Sequence, residues 1–205
     1  MTPPPPYDDG TSPSRHPRRG GGDLMDIDPK TARALGFPNP GYTVVERERR
    51  WLCRRVPKEQ VVRSERITDL YVTGSQLRLR EARRLDGSAA MLRLSRKADV
   101  DARTRLVTSI YLPEHEFVLL AASLPGRRLT KLRHRLRSPV GLLLSVDEFL
   151  DALQGLILLE VDFDAAETMA DYTPPDFAAR EVTDNPCYAG GHLAEHGLPR
   201  GLSEE

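Results

Sequence analysis

Lysine is nearly missing from this chain: Lys30, Lys58, Lys97 and Lys131 are the only four among 30 cationic residues, and the rest are arginine. That bias, with abundant alanine, leucine, proline and glycine, fits a GC-rich genome. The 30 cations face 30 acidic residues, so net charge gives no pull towards nucleic acid or an acidic membrane, and neither is expected as a partner. Cysteine is scarce too. Cys53 and Cys187 lie far apart, form no metal or redox motif, and read as reduced thiols. No apolar run approaches the roughly 18 residues that a membrane span needs. The opening MTPPPPYDDGTSPSRHPRRGGGD lacks the apolar core of a secretory signal, and a cytoplasmic location is expected. There is no internal repeat, no glycine-rich nucleotide loop and no Ser/His/Asp or Cys/His arrangement. The histidines His16, His115, His134, His192 and His196 are scattered and read as solvated or capping residues.

The 205 residues have room for one sizeable domain. Residues 1–40 are rich in Pro, Gly, Ser and Arg without apolar periodicity, which predicts a disordered tail. Its SRHPRRGGG reads as a solubilising leader, and Met25 opens a segment that reads as a later start or a short docking piece. The ordered domain is expected over 41–196, with 197–205 frayed. Alternation of apolar and charged residues predicts strands at 42–51, 65–72, 76–84, 90–97, 104–112, 128–137, 141–149 and 156–164. Helices are expected from Pro57 in PKEQVV, from Pro113 in PEHEFVLLAASLPG, over 165–171 and near 191–196.

A strand places residues i, i+2 and i+4 on one face. Glu46, Glu48 and Arg50 therefore share a face, opposite Val45 and Arg47. Arg78 and Arg80 oppose Leu77 and Leu79, and Arg93, Ser95 and Lys97 oppose Leu92 and Leu94. Lys131, Arg133, Arg135 and Arg137 oppose Leu132 and Leu136. Glu160, Asp162 and Asp164 oppose Val161 and Phe163, and Asp147 ends a further strand, LLLSVDEF. One such strand describes any half-solvated antiparallel sheet. Five together, with acids grouped on some and cations on others, set like charges side by side, which is unfavourable in an open sheet. A closed barrel with the charged face inside, and helices over the leucines outside, resolves the conflict when a ligand and metal occupy it. Triphosphate suits that interior: arginine forks bind its oxygens bidentately, and Mg²⁺ or Mn²⁺ bridges carboxylate and phosphate oxygens.

The segment ERERRWL from Glu46 resembles the Glu-x-Glu-x-Lys signature of the CYTH superfamily, the triphosphate tunnel metalloenzymes, as found in bacterial CYTH-domain proteins. LRLR (77–80), the Lys97 strand, IYLPEHEF (110–117), LPGRRLTKLRHRL (124–136), VDEF (146–149), LILLEVDF (156–163) and EVTDNPCYAGGHLA (181–194) resemble family segments in family order. The resemblance spans about 43–194. It implies an all-β-dominated α+β fold: an eight-stranded antiparallel closed tunnel with a few flanking helices. It also implies a triphosphate-containing substrate and a divalent cation.

Carried over residue by residue, Glu46, Glu48 and Glu160 match metal-holding positions, with Asp147 and Asp162 as further acidic ligands or water-orienting groups. Arg78, Arg80, Lys97, Lys131, Arg133 and Arg135 match the phosphate-gripping walls. Arg50 stands where the signature has lysine, and Ser95 competes with Lys97 for one expected lysine place. Many members carry Glu-x-Glu on the strand before the central helix, where this chain has Val107 and Ser109. The expected activity is that of a phosphoanhydride hydrolase acting on inorganic tripolyphosphate, with Glu46, Glu48, Arg50 and Asp147 as its catalytic group. The alternatives are a non-catalytic polyphosphate- or nucleotide-binding module, which the missing acids favour, or a class IV-type adenylate cyclase, although nothing reads as a base pocket. A thiamine triphosphatase would want aromatic stacking, and the single tryptophan, Trp51, faces away from Arg50. The sequence leaves the oligomeric state open.

Overall fold

The computed structural model describes residues 27–137 and 141–200. The expectations for 1–26, Met25 included, and for 201–205 lie outside the described residues. Eight strands form the ring: β1 (Val44–Cys53), β2 (Val61–Val72), β3 (Leu77–Arg84), β4 (Ala90–Asp99), β5 (Thr104–Tyr111), β6 (Gly126–Leu136), β7 (Leu143–Phe149) and β8 (Ile157–Phe163). Their order is β5-β4-β3-β2-β6-β7-β8-β1, every pair antiparallel, and β1 returns to β5 through Val44↔Val107 to Arg47↔Thr104. Alternation drives this closure. Each strand has a charged face and an apolar face, and a ring gives each face its own environment while abolishing free edges. The eight strands read from the sequence are these eight.

Two local readings need correction. The helix expected from Pro57 is a single 3₁₀ turn, Lys58–Gln60. β2 then starts at Val61, ahead of the expected residue 65, because Val61 already pairs with Leu136 on β6; cross-strand pairing outweighs a weak local helix signal. A short ninth strand, β9 (Ala178–Glu181), was not expected. Its AARE sequence carries no apolar alternation, and it is fixed by pairing with β1 (Trp51↔Glu181) where β5 has left that edge.

Among the described residues four helices flank the ring: α1 (Pro29–Ala34), α2 (Glu114–Ser123), α3 (Ala166–Ala170) and α4 (Gly190–His196). α1 lies in the stretch expected to be disordered. Asp28 caps it, its Oδ2 accepting from the Thr31 amide at 2.9 Å, and Pro29 takes the first helical position. Ala32 and Phe37 then pack on Val45, Ala98 and Leu106 outside the barrel. Arg96 lies over the Phe37 ring at 4.6 Å and donates to the Leu35 carbonyl at 2.8 Å. Ordered packing therefore starts ahead of residue 41.

The outer leucine face is covered by fewer helices than expected. Trp51, Val146, Leu159, Val161 and Phe163 form an outer cluster packed under Met169, Tyr172 and Phe177. Tyr172 sits 5.7 Å from Trp51 and 5.2 Å from Phe163, ring centroid to centroid. Arg49 caps this cluster over Trp51 and forks onto Glu181 at 2.8 and 2.7 Å, tying β9 to β1. α2 buries no side chain, and Val118 and Leu119 on it are exposed. Its contiguous FVLL run spreads apolar side chains around a turn rather than along one face.

The interior is not charged throughout. At one end the inward positions are Leu52, Leu129, Phe149 and Leu158, which join Leu153, Leu156, Val182, Tyr188 and Leu193 in a buried apolar plug. Burial of that many large side chains closes one mouth of the barrel and fixes the C-terminal segment against it. Among the described residues no helix is long and apolar enough to cross a membrane.

Candidate active site

Above the plug the inward residues are almost all charged, and they converge on a cavity of about 50 Å³. Strand register sets their heights. On β1 the order from plug to open end is Leu52, Arg50, Glu48, Glu46; on the antiparallel β8 it is Leu158, Glu160, Asp162, paired through Arg50↔Glu160 and Glu48↔Asp162. Carboxylates from two adjacent strands are thus brought side by side. Lys97 on β4 reaches Glu46 Oε2 at 2.5 Å. Arg50 donates from Nε to Glu48 Oε1 at 2.8 Å, and Arg105 Nη2 approaches the same oxygen at 3.2 Å.

The facing wall is cationic. Lys131 and Arg133 on β6 both bind Asp147 of β7, Arg133 through Nε at 2.6 Å and Nη2 at 2.5 Å, and Arg133 also pairs with Glu160. The Lys131 ammonium lies 5.3 Å from the Phe149 ring centroid, marking the boundary between charge and plug. On β2 and β3, Asp69 accepts both nitrogens of one Arg80 edge at 2.7 Å each. Gly190, opening α4, lies against Tyr71 so closely that an added Cβ would meet the Tyr71 hydroxyl at 2.1 Å. A side chain there would displace the Tyr71 hydroxyl, and glycine lets the C-terminal segment seat against it.

Most of the site residues read from the sequence meet here. Glu46, Glu48, Arg50, Arg78, Arg80, Lys97, Lys131, Arg133, Glu160 and Asp162 all line the one cavity. Of the two residues that compete for one lysine place, Lys97 lines the cavity, whereas Ser95 faces inward and hydrogen-bonds Ser109 at 2.7 Å. Arg135 and Asp147 do not line the cavity. Arg135 donates to Ser145 Oγ at 2.5 Å, and Asp147 is fully buried behind Lys131 and Arg133. Val107 and Ser109 face inward beside Lys97 and Ser95, so the inner face of β5 carries no acid at those positions. It offers Arg105 instead. Asp69, Tyr71, Arg93, Arg105 and Tyr188 were not anticipated as part of the site. Arg93 and Arg105 were legible by the same alternation, since Arg93 shares the Lys97 face and Arg105 the Val107 face.

Burial and pairing divide the acids into two kinds. Burial pushes Glu48 up, but Arg105 and Arg50 outweigh it and hold the carboxyl at about 2. Glu46 is likewise drawn below the ordinary carboxylate range by Lys97, and Glu160 well below it by Arg133, Lys131 and Arg50, in each case against the effect of burial. Asp162 behaves oppositely. Burial, then the neighbouring Glu48 and Glu160, push it up to about 6 from 3.8, and it has no ion-pair partner among the described residues. Burial also draws Lys97 down to about 8 in spite of Glu46.

A carboxyl whose folded pKa is raised contributes stability below about pH 4 that is lost as pH rises through about 6. Metal-free Asp162→Asn is therefore expected to be more stable than the parent chain at pH 7, by about 1–2 kcal/mol. The gap should close near pH 4, as urea denaturation at both pH values would measure.

The donor set suits a hard divalent cation in kind, because four carboxylates crowd together and Asp162 is held protonated by its neighbours at slightly acidic pH. It is not a ready cage. Among the described residues no three of His, Cys, Asp and Glu stand in a coordinating cluster, since Glu46, Glu48 and Glu160 are each turned onto a cation. Rotation off those cations would present them as ligands.

No family model and no curated protein matches the chain. Solved structures do. The crystal structure of the inorganic triphosphatase NE1496 is similar at 25% identity and a TM-score of 0.51, over 73% of this chain and 93% of that one. A structure of the hypothetical protein NE1496 is similar at 26% identity and 0.51, over 73% and 97%. The PH1819 protein from Pyrococcus horikoshii OT3 lies further off, at 20% identity and 0.47 over 62% and 82%. An antiparallel ring that encloses its charges and opens on a Glu-x-Glu strand shares its fold with the NE1496 triphosphatase over 73% of this chain, the fold of the CYTH-type triphosphate tunnel proteins.

Proposed function

We propose that the chain hydrolyses a triphosphate, inorganic tripolyphosphate foremost, with the help of Mg²⁺ or Mn²⁺. One observation carries this reading: cations from β1, β3, β4, β5 and β6 and carboxylates from β1 and β8 converge on a single blind-ended cavity. A chain of phosphates bears negative charge along its whole length, and forked arginines on several walls match it. The triphosphatase activity named for NE1496 supports the same substrate class.

In this reading Arg78, Arg80, Lys131 and Arg133 grip and orient the phosphates, with Lys97 and Arg50 nearer the acids. Arg135, bound to Ser145, steadies the same wall. Glu46, Glu48 and Glu160 would hold the metal, with Asp162 as a further ligand and Asp147 keeping Lys131 and Arg133 in place. A bound divalent ion would neutralise phosphate oxygens and polarise water for attack on the terminal phosphorus. Water adds to that phosphorus, the bridging P–O bond breaks, and diphosphate leaves with its electrons. The cations of the cavity are already held by carboxylates, so phosphate would bind by exchange of partners. Phosphate oxygens would replace Glu46, Glu48 and Glu160 on their cations, leaving those carboxylates free to hold a divalent ion.

Val107 and Ser109 favour a second reading. With no acid on that strand and Arg105 beside Glu48, the protein would bind polyphosphate tightly without turning it over. Phosphate release from tripolyphosphate, ATP and thiamine triphosphate, each with Mg²⁺ or Mn²⁺, separates the two. Metal-dependent release supports hydrolysis; tripolyphosphate binding without release supports the binding module.

A further inference from the structure

The buried carboxylate of Asp69 sits beside the cavity without lining it. It is wholly inaccessible, it faces inward between Ile67 and Tyr71 on β2, and register sets it directly opposite Arg80 on β3. Its two oxygens take Arg80 Nε and Nη2 in a parallel fork, each at 2.7 Å, while Arg78 Nε approaches Oδ1 at 3.5 Å, an ion pair without a hydrogen bond. A guanidinium has two bidentate edges. Asp69 occupies the side edge of Arg80, which fixes the plane and leaves the Nη1/Nη2 end to the cavity. Arg78 complements it: its Nε and Nη2 are buried with no hydrogen-bond partner among the described residues, although both arginines line the cavity. Unsatisfied buried donors of that kind are costly, and an anion's oxygens would satisfy them.

We infer that Asp69 is a positioning residue that holds Arg80 and Arg78 as a pre-oriented two-arginine clamp for one phosphate group of the substrate. This rests on the phosphate-binding reading above. Like most buried ion pairs, the pairing does not by itself secure stability; its value lies in orientation, since a free arginine would lose side-chain freedom on binding each time.

Charge and orientation predict opposite outcomes, and that makes the idea testable. Asp69→Asn adds one net positive charge beside the cavity, so charge alone would tighten binding of an anion. Loss of positioning weakens it. Calorimetric titration of the full chain with tripolyphosphate, without metal, should show binding at least tenfold weaker in Asp69→Asn than in the parent. In case that variant does not fold, Arg80→Lys keeps the charge and the partner of Asp69 but cannot form the fork. It too should bind at least tenfold more weakly, and the double variant should be no worse than Arg80→Lys alone. Unchanged or tighter binding by a folded Asp69→Asn, or unchanged binding by Arg80→Lys, overturns the inference and leaves the proposed function standing. A parent chain that binds no tripolyphosphate overturns both.

Discussion

Asp147→Ala is expected to lower stability by about 3–5 kcal/mol, a fall in Tm of roughly 10 °C for a chain of this size. The reason is local. Asp147 is fully buried, and its two oxygens receive Lys131 and both nitrogens of Arg133. Its removal leaves two cations inside the barrel with Glu160 as the remaining acid on Arg133. Removing one partner of a buried network costs far more than the pairing contributes, because the survivor keeps its desolvation penalty. The exposed pair Arg55–Glu59 provides the control: its side chains are 64% and 58% accessible, and Glu59→Ala should change Tm by a degree or two at most. Thermal denaturation at low and high salt checks both, since screening acts on the exposed pair alone.

Glu48→Gln is expected to reduce metal-dependent phosphate release at least a hundredfold, the equivalent of about 2.7 kcal/mol at the transition state. Glutamine keeps the shape and an acceptor for Arg50, and it loses the charge that a cation requires. The loss should fall on kcat and on the concentration of Mn²⁺ that gives half-maximal rate. Tripolyphosphate affinity without metal should hold or rise, because Arg50 and Arg105 are then released to the phosphates. Steady-state kinetics across a Mn²⁺ series, with circular dichroism to verify the fold, measures all of these.

How much of this was legible beforehand differs with the element. The ring was legible because alternation is a residue-by-residue signal: Arg78 and Arg80, or Glu160 and Asp162, reveal their shared face in the sequence itself. Facing inward is not the same as lining the cavity, however. Alternation gives a side chain's direction and says nothing of how its neighbours shield it, so Asp147 read as a metal ligand while the fold covers it with Lys131 and Arg133. Asp69 is hard to read from the sequence for a related reason. It shares its face with Ile67 and Tyr71, a mixed pattern that looks like any half-buried strand, and only pairing with β3 brings Arg80 onto it. The plug was hidden because Leu52, Leu129 and Phe149 each continue a charged face by one more step. α1 and β9 are too short to show a period at all, and tertiary contacts alone make them regular.

Whether triphosphate and metal meet inside the barrel is read directly from a crystal structure with tripolyphosphate and Mn²⁺, the metal located by its anomalous scattering. Phosphates are expected against Arg78, Arg80, Lys131 and Arg133, with Mn²⁺ on Glu46, Glu48 and Glu160 turned away from Lys97, Arg50 and Arg133. Phosphates bound instead in the outer groove of Arg180, His192 and Arg200, with the interior ion pairs intact, would contradict it.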